Sequence, residues 1–303
     1  MANTDIITPE VETEIQENLE IKFPPLPRTV TEVTSLMRAF ERDDVPDTPK
    51  LIKVVQSDPV MTAAVLRRVN SAFYGVRRQV NNPEKAIYLL GFDEVCNIVI
   101  AAGMYSLRNI VESESQIQIF EKIMQVSVGT ACFMQLLTSH LNLHDHGSAF
   151  TAGLLHGSGR LVLLYNYPSD YEDLWASHEG FPPGADAEQL LFHTDHTTLG
   201  ARAAAHWCLP NEVVHVIQNY LLPGRLKDPN LRMLALALSI SASATEQLCL
   251  RPTAGKLGFG AKTALRVLAR SARVSPSDLH DLIAVNRPKV SEYITSMITL
   301  SAA

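Results

Sequence analysis

The side chain best placed to do chemistry is His156. It stands at the end of the apolar run AFTAGLLHGSGRLVLL (149–164), where Gly157, Ser158 and Gly159 interrupt the helical pattern. An imidazole delivered there can ligate a metal or carry a proton. A histidine closing a buried run is more often a hydrogen-bonded core residue, and the residues alone leave both readings open. A second candidate is LRRVNSAFYGVRR (66–78), which sets Arg67, Arg68, Arg77 and Arg78 around Asn70, Ser71 and Tyr74. In one reading Asn70 and Ser71 cap a helix end and Phe73 fills the core. In the other, these residues form a polar, cationic groove at a junction of two lobes, able to read an acidic peptide or a nucleotide phosphate. A third is 251–273, with Arg251, Lys256, Lys262, Arg266, Arg270 and Arg273 and no acid. Lys262, Arg266 and Arg270 recur every four residues, so they share a helix face that is either merely solvated or receives an acidic partner.

Other patterns carry less. GKLGFGAKT (255–263) is not a phosphate loop, because Ala261 separates Gly260 from Lys262 and no buried strand precedes it. HGSG lacks the GxSxG elbow of serine hydrolases. His140 and His144 sit at i, i+4 without carboxylates in register, and His144-Asp145 follows no apolar helix.

Helices must position these residues. Cap-proline pairs recur at Thr8-Pro9, Thr48-Pro49, Asp58-Pro59, Asn82-Pro83 and Ser275-Pro276. Apolar stripes at helical spacing follow, as in Val30, Val33, Met37 and Phe40, or Leu265, Leu268 and Ala269. Gly91 stops the helix PEKAIYLL. No Asn-Gly or Asp-Gly hairpin turn separates alternating strands, so the expected fold is all-α. Residues 1–22 hold six acids and one lysine, and Val11, Ile15 and Leu19 predict a short amphipathic helix. PPLP (24–27) reads as a stiff linker or helix opening, and 221–230 as a second break.

Composition narrows the function. The chain has 303 residues and a net charge of −6, from 26 basic and 32 acidic side chains, which disfavours a dedicated nucleic-acid binder. Hydrophobic residues at 46% are enough for a core without metal or disulfide. Cys96, Cys132, Cys208 and Cys249 form no CxxC pair and are expected as reduced core residues of a soluble, cytoplasmic protein. No signal peptide or membrane span is expected.

Four strings in order give a specific resemblance. FPPLPRTVTEVTSLM, SDPVMTAAVLRRVNSAFYG, AIYLLGFDEV and TDHTTLGARAAAHWCLP are similar to the LPxLP, DPxLTxxLLRxVNSAxYG, AIxxLG and DHxxxGxxLxxxWxLP motifs of the HDOD (HD-related output domain) family. The resemblance covers about residues 23–222. It implies a multi-helical fold related to the HD-superfamily phosphohydrolases, whose GLLHDxGK-like string binds a metal through adjacent His and Asp. In this alignment Gly157 replaces the aspartate, Val126 the earlier helix histidine, Tyr220 and Leu221 the later histidines, and Leu238 the final aspartate. His156 and His196 remain, and two imidazoles without carboxylates suit Mg, Mn or Fe poorly.

The resemblance therefore implies a vestigial pocket around His156, Gly157 and His196, with no catalytic residue, metal or cofactor. It divides the chain into an acidic segment (1–22), an HDOD domain (23–222, with lobes 23–110 and 111–222) and a C-terminal helical extension (223–303) packed on the core. The expected function is bacterial signalling through a protein partner bound in trans, with neither nucleic acid nor membrane. A sensor holding a nucleotide or cyclic dinucleotide in the vestigial pocket is the alternative, and a residual metal-dependent phosphohydrolase a remote third.

Overall fold

A computed structural model describes residues 21–43, 45–71, 74, 76–143, 146–250, 257 and 259–301. Every regular element among them is helical. The expected helix near Val11, the His144-Asp145 dipeptide, Phe73, Arg251 and Lys256 lie outside the described residues.

The first group comprises α1 (Arg28–Asp43), α2 (Thr48–Gln56), α3 (Pro59–Val69), α4 (Pro83–Leu90) and α5 (Phe92–Ser106). Side-chain caps start three of them. Asp58 accepts from the amides of Val60 and Met61, with Pro59 in the first turn, and Asn82 accepts from Lys85. At the second helix the cap lies one residue earlier than Thr48. The Asp47 carboxylate accepts from the Lys50 amide, leaving Thr48 and Pro49 in the first turn. A carboxylate is the stronger acceptor for these orphan amides, so the boundary moves to it. Gly91 has φ +86°, and the chain turns by 112° there between α4 and α5.

The second group is built on α6 (Glu114–His140), opened by a Ser113–Gln116 capping box. Around it stand α7 (His146–Leu155), α8 (Ser158–Asn166), α9 (Pro168–Ser177), α10 (Ala185–Phe192), α11 (His196–His206) and α12 (Asn211–Asn219). The linker before α1 is pinned to this group, since Trp207 Nε1 donates to the Pro24 carbonyl at 3.2 Å. Thr34 of α1 donates to the Trp207 carbonyl at 2.7 Å. Three further helices follow: α13 (Pro229–Cys249), α14 (Phe259–Ala272) and α15 (Pro276–Ser301). α13 runs along α6 and α12, and α15 packs on α6, α3 and α5. α13 buries Leu234, Leu238 and Ile240, so it is a core element.

The helix that follows the His156 turn and the helix that begins at His196 cross closely. A Cβ at Gly159 of α8 would lie 2.0 Å from the His196 carbonyl oxygen and 2.6 Å from the Gly200 amide of α11. Only hydrogen fits at that crossing, which holds the turn at His156 against the start of α11. Of the four cysteines, Cys96 and Cys132 are buried, but Cys208 and Cys249 are only half-buried at helix ends. Among the described residues, no single helix is long and apolar enough to cross a membrane.

Candidate functional site

His156 sits in the turn between α7 and α8, 2% exposed. Its Nδ1 lies 2.7 Å from the Gly153 carbonyl. A carbonyl only accepts, so that nitrogen carries the proton. Burial pulls the imidazole down to about 3, with Arg160 and His196 adding to the shift and the Gly153 bond opposing it. His156 is therefore neutral at physiological pH.

His196 is the first residue of α11, following the helix cap Asp195. Its amide donates to Glu188 Oε2 at 2.8 Å, and its Nδ1 lies 2.5 Å from the same oxygen. Its Nε2 meets the Tyr220 hydroxyl at 2.7 Å. The Tyr220 ring also packs edge-on against His156, with centroids 5.9 Å apart. Both nitrogens of His196 are thus engaged, one by a carboxylate and one by a phenol.

Glu188 ties the cluster together. It is fully buried on α10 and also accepts from the Tyr171 hydroxyl at 3.1 Å. Arg160 Nε lies 3.8 Å from its other oxygen, and Arg160 Nη2 donates to the Pro183 carbonyl at 3.0 Å. Burial alone would raise the Glu188 carboxyl. The His196 imidazole and amide and the Arg160 guanidinium outweigh it and hold the group below its usual range. The arginine is likewise held protonated against its own burial, chiefly by Glu188.

Of the alignment positions, Gly157, Val126 and Leu238 supply no polar side chain. A Cβ on Gly157 would lie 2.6 Å from Ser127 Oγ and 3.0 Å from Ile123 Cγ2, so no longer side chain fits without movement. Val126 and Leu238 are buried, and Leu238 belongs to the apolar core. Among the described residues, no group of three or more His, Cys, Asp or Glu is arranged to hold a metal ion. The residues present do not fit the superfamily's metal.

The described residues of 66–78 divide between the interior and the surface. Arg68 is fully buried, 3.1 Å from Glu94, with its guanidinium 4.3 Å from the Tyr293 ring centroid and 5.1 Å from that of Tyr74. Tyr74 donates to Glu94 at 2.6 Å. Asn70 ends α3, accepting from the Val80 amide at 2.7 Å and donating to the Val80 carbonyl, while Ser71 donates to the Arg68 carbonyl. Arg68, Asn70, Ser71 and Tyr74 therefore face inward, because Glu94 and the Val80 backbone need partners there. Arg67 is half-buried, and only Arg77 and Arg78 are exposed. By contrast, Lys262, Arg266 and Arg270 all lie exposed along α14 and make no ion pair among the described residues.

A sequence profile of one family, the HDOD domain, matches residues 23–222. The chain belongs to the HDOD domain family. An uncharacterised protein of Treponema pallidum (strain Nichols) is 20% identical over 208 residues, covering 68% of this chain and 39% of that protein. The match thus spans about two fifths of the curated relative's length. An HDOD domain protein of unknown function from Geobacter sulfurreducens superposes with a TM-score of 0.72 at 18% identity, covering 95% of this chain and 96% of its own. A Marinobacter aquaeolei VT8 protein, named for a proposed role in signal transduction, gives 0.70 at 19% identity, over 97% of this chain and 64% of its own. A Shewanella amazonensis SB2B protein, named as a candidate phosphohydrolase, gives 0.67 at 19% identity, over 94% and 97%. At these identities the HDOD structures share the helical fold with this chain.

Sequence reasoning missed Glu188, Arg160 and Tyr171. Arg160 carried a signal, being a lone cation inside GSGRLVLL, which requires a buried carboxylate partner. Glu188 carried almost none, since Leu190 and Leu191 beside it are exposed while the acid points inward.

A cavity of about 630 Å³ opens next to this cluster. Arg160, Tyr220 and the Pro182–Ala185 loop form one side, α13 a second through Ser239, Ser243 and Glu246, and α14 a third through Thr263 and Val267.

Proposed function

We propose that this HDOD chain is a non-catalytic regulatory protein that acts by binding a protein partner in trans. The observation that supports this most is the engagement of His196. With one nitrogen on Glu188 and the other on Tyr220, and with glycine at 157, the superfamily's hydrolytic centre has been rebuilt as a hydrogen-bonded core. A chain without metal-activated water is left with binding as its work. The exposed row Lys262, Arg266 and Arg270 is the surface most suited to an acidic partner, because no carboxylate of the described residues neutralises it. Affinity capture with the intact chain and with a Lys262→Glu, Arg266→Glu, Arg270→Glu variant tests this. Loss of the captured partner from the variant is expected. Retention of every partner would remove this face from the reading.

A second reading, ligand sensing beside the vestigial centre, is favoured by the cavity at Tyr220. Its volume falls in the range of roughly 300–1,000 Å³ usual for small-molecule sites. Saturable binding of a small molecule to the intact chain, measured calorimetrically, supports it.

A further inference from the structure

We propose that the cavity between Tyr220, α13 and α14 takes a small organic amine in its cationic form, with the Glu246 carboxylate as counter-charge. The inference deepens the ligand-sensing reading and rests on it. Three properties of the walls lead there.

The first is charge. Among the described residues, the lining holds one arginine, Arg160, and one carboxylate, Glu246. Arg160 lies 3.8 Å from Glu188, and its Nη2 donates to the Pro183 carbonyl. Glu246 is half-buried in the α13 wall, and its carboxylate makes no ion pair or hydrogen bond among the described residues. One guanidinium thus stands against two carboxylates, Glu188 and Glu246, both of which hold it protonated. A half-buried carboxylate with no ion pair among the described residues favours a cation, and a ligand with two phosphates would meet its repulsion. The basic row of α14 does not change this, since Lys262, Arg266 and Arg270 are absent from the lining.

The second property is hydrogen bonding. Ser239 and Ser243 stand one turn apart on α13, and Ser243 and Glu246 are spaced i, i+3 on the same face. An ammonium group has three donors, so one can be taken by the carboxylate while hydroxyl oxygens accept the others. The third is the apolar rim. Leu221 is 45% exposed and Val267 44% exposed, and Pro223 lies beside them in the lining. These side chains cover the carbon body of a ligand whose charged end is inside.

The test uses the full chain with 2-phenylethylamine at the head of a panel of monoamines and diamines. The uncharged 2-phenylethanol and cyclic di-GMP serve as controls, and binding is read by isothermal titration and by thermal shift. Saturable amine binding is expected, weaker by about tenfold or more for the alcohol and for Glu246→Gln, as loss of one charge-assisted hydrogen bond implies. Val267→Trp, which changes an exposed rim residue, should abolish it while leaving the unliganded melting temperature close to that of the parent. Equal binding of amine and alcohol, or unchanged binding by Glu246→Gln, would overturn the proposal. Binding of cyclic di-GMP with no amine bound overturns the cation and leaves ligand sensing standing. No binding by any probe overturns both.

Discussion

The Tyr220 hydroxyl lies 2.7 Å from Nε2 of His196, on the nitrogen that a metal would need. A phenol there occupies that nitrogen with a structural hydrogen bond. Tyr220→Phe keeps the ring and removes the bond, leaving a buried nitrogen without its partner. The expected loss is about 1–3 kcal/mol of stability, read by urea denaturation. Metal analysis of the same variant should show no bound metal, because Gly157 and Leu238 supply no ligand atom.

Restoring the missing aspartate should fail for lack of space. In Gly157→Asp the new Cβ starts 2.6 Å from Ser127 Oγ. Overpacking plus a buried carboxylate predicts a loss of about 3 kcal/mol or more. Adding Ser127→Gly should recover part of it, and a double-mutant cycle on denaturation midpoints measures the coupling.

Stability should fall in mild acid because of His156. Its folded value, about 3, is below the ordinary histidine value of 6.5, so the unfolded chain binds the proton first as pH drops. The stabilisation is complete above pH 6.5 and is lost progressively toward pH 3. The slope is about 1.4 kcal/mol per pH unit within that window. Urea unfolding at pH 7.0, 5.5 and 4.5 should show this decline, and His156→Gln should flatten it. Equal slopes for parent and variant would contradict the assignment.

Arg68 and its neighbours separate interior from surface arginine. Arg68→Ala leaves Glu94 without its buried cation and should cost about 3–5 kcal/mol. Arg68→Lys should not rescue it fully, because an ammonium cannot lie flat against Tyr293 while bonding Glu94. The Arg77→Ala, Arg78→Ala double variant should stay within about 0.5 kcal/mol of the parent per site. Thermal and urea melts decide all three.

Much of the architecture was legible because helix starts and stripes are local. Asp58, Asn82 and Gly91 act where their residue types require, and Val30, Val33 and Met37 are buried as their spacing predicts. The correction at Asp47 was also local, a choice between adjacent capping side chains. The site was legible only in part. His156 and His196 stood in motifs, but what they touch depends on partners far off in sequence. Tyr220 is 24 residues from His196, and nothing in TDHTTLG announces it. The inward placement of Arg68 was hidden for the same reason. Glu94 and Tyr293 lie outside its string LRRVNSAFYGVRR, and they draw Arg68 inward.

The packing of Tyr293 on Arg68 has a consequence for biosynthesis. Ser296 and Arg68 are 228 residues apart, with Ser296 Oγ 3.5 Å from an Arg68 nitrogen. A ribosome adding about 5–20 residues per second makes the arginine at least ten seconds before its aromatic cover. During that interval Glu94 can neutralise the charge and Tyr74 can pack on the guanidinium, but the side that meets Tyr293 stays wet. The N-terminal helices therefore mature in two stages, and the second waits for translation to reach α15.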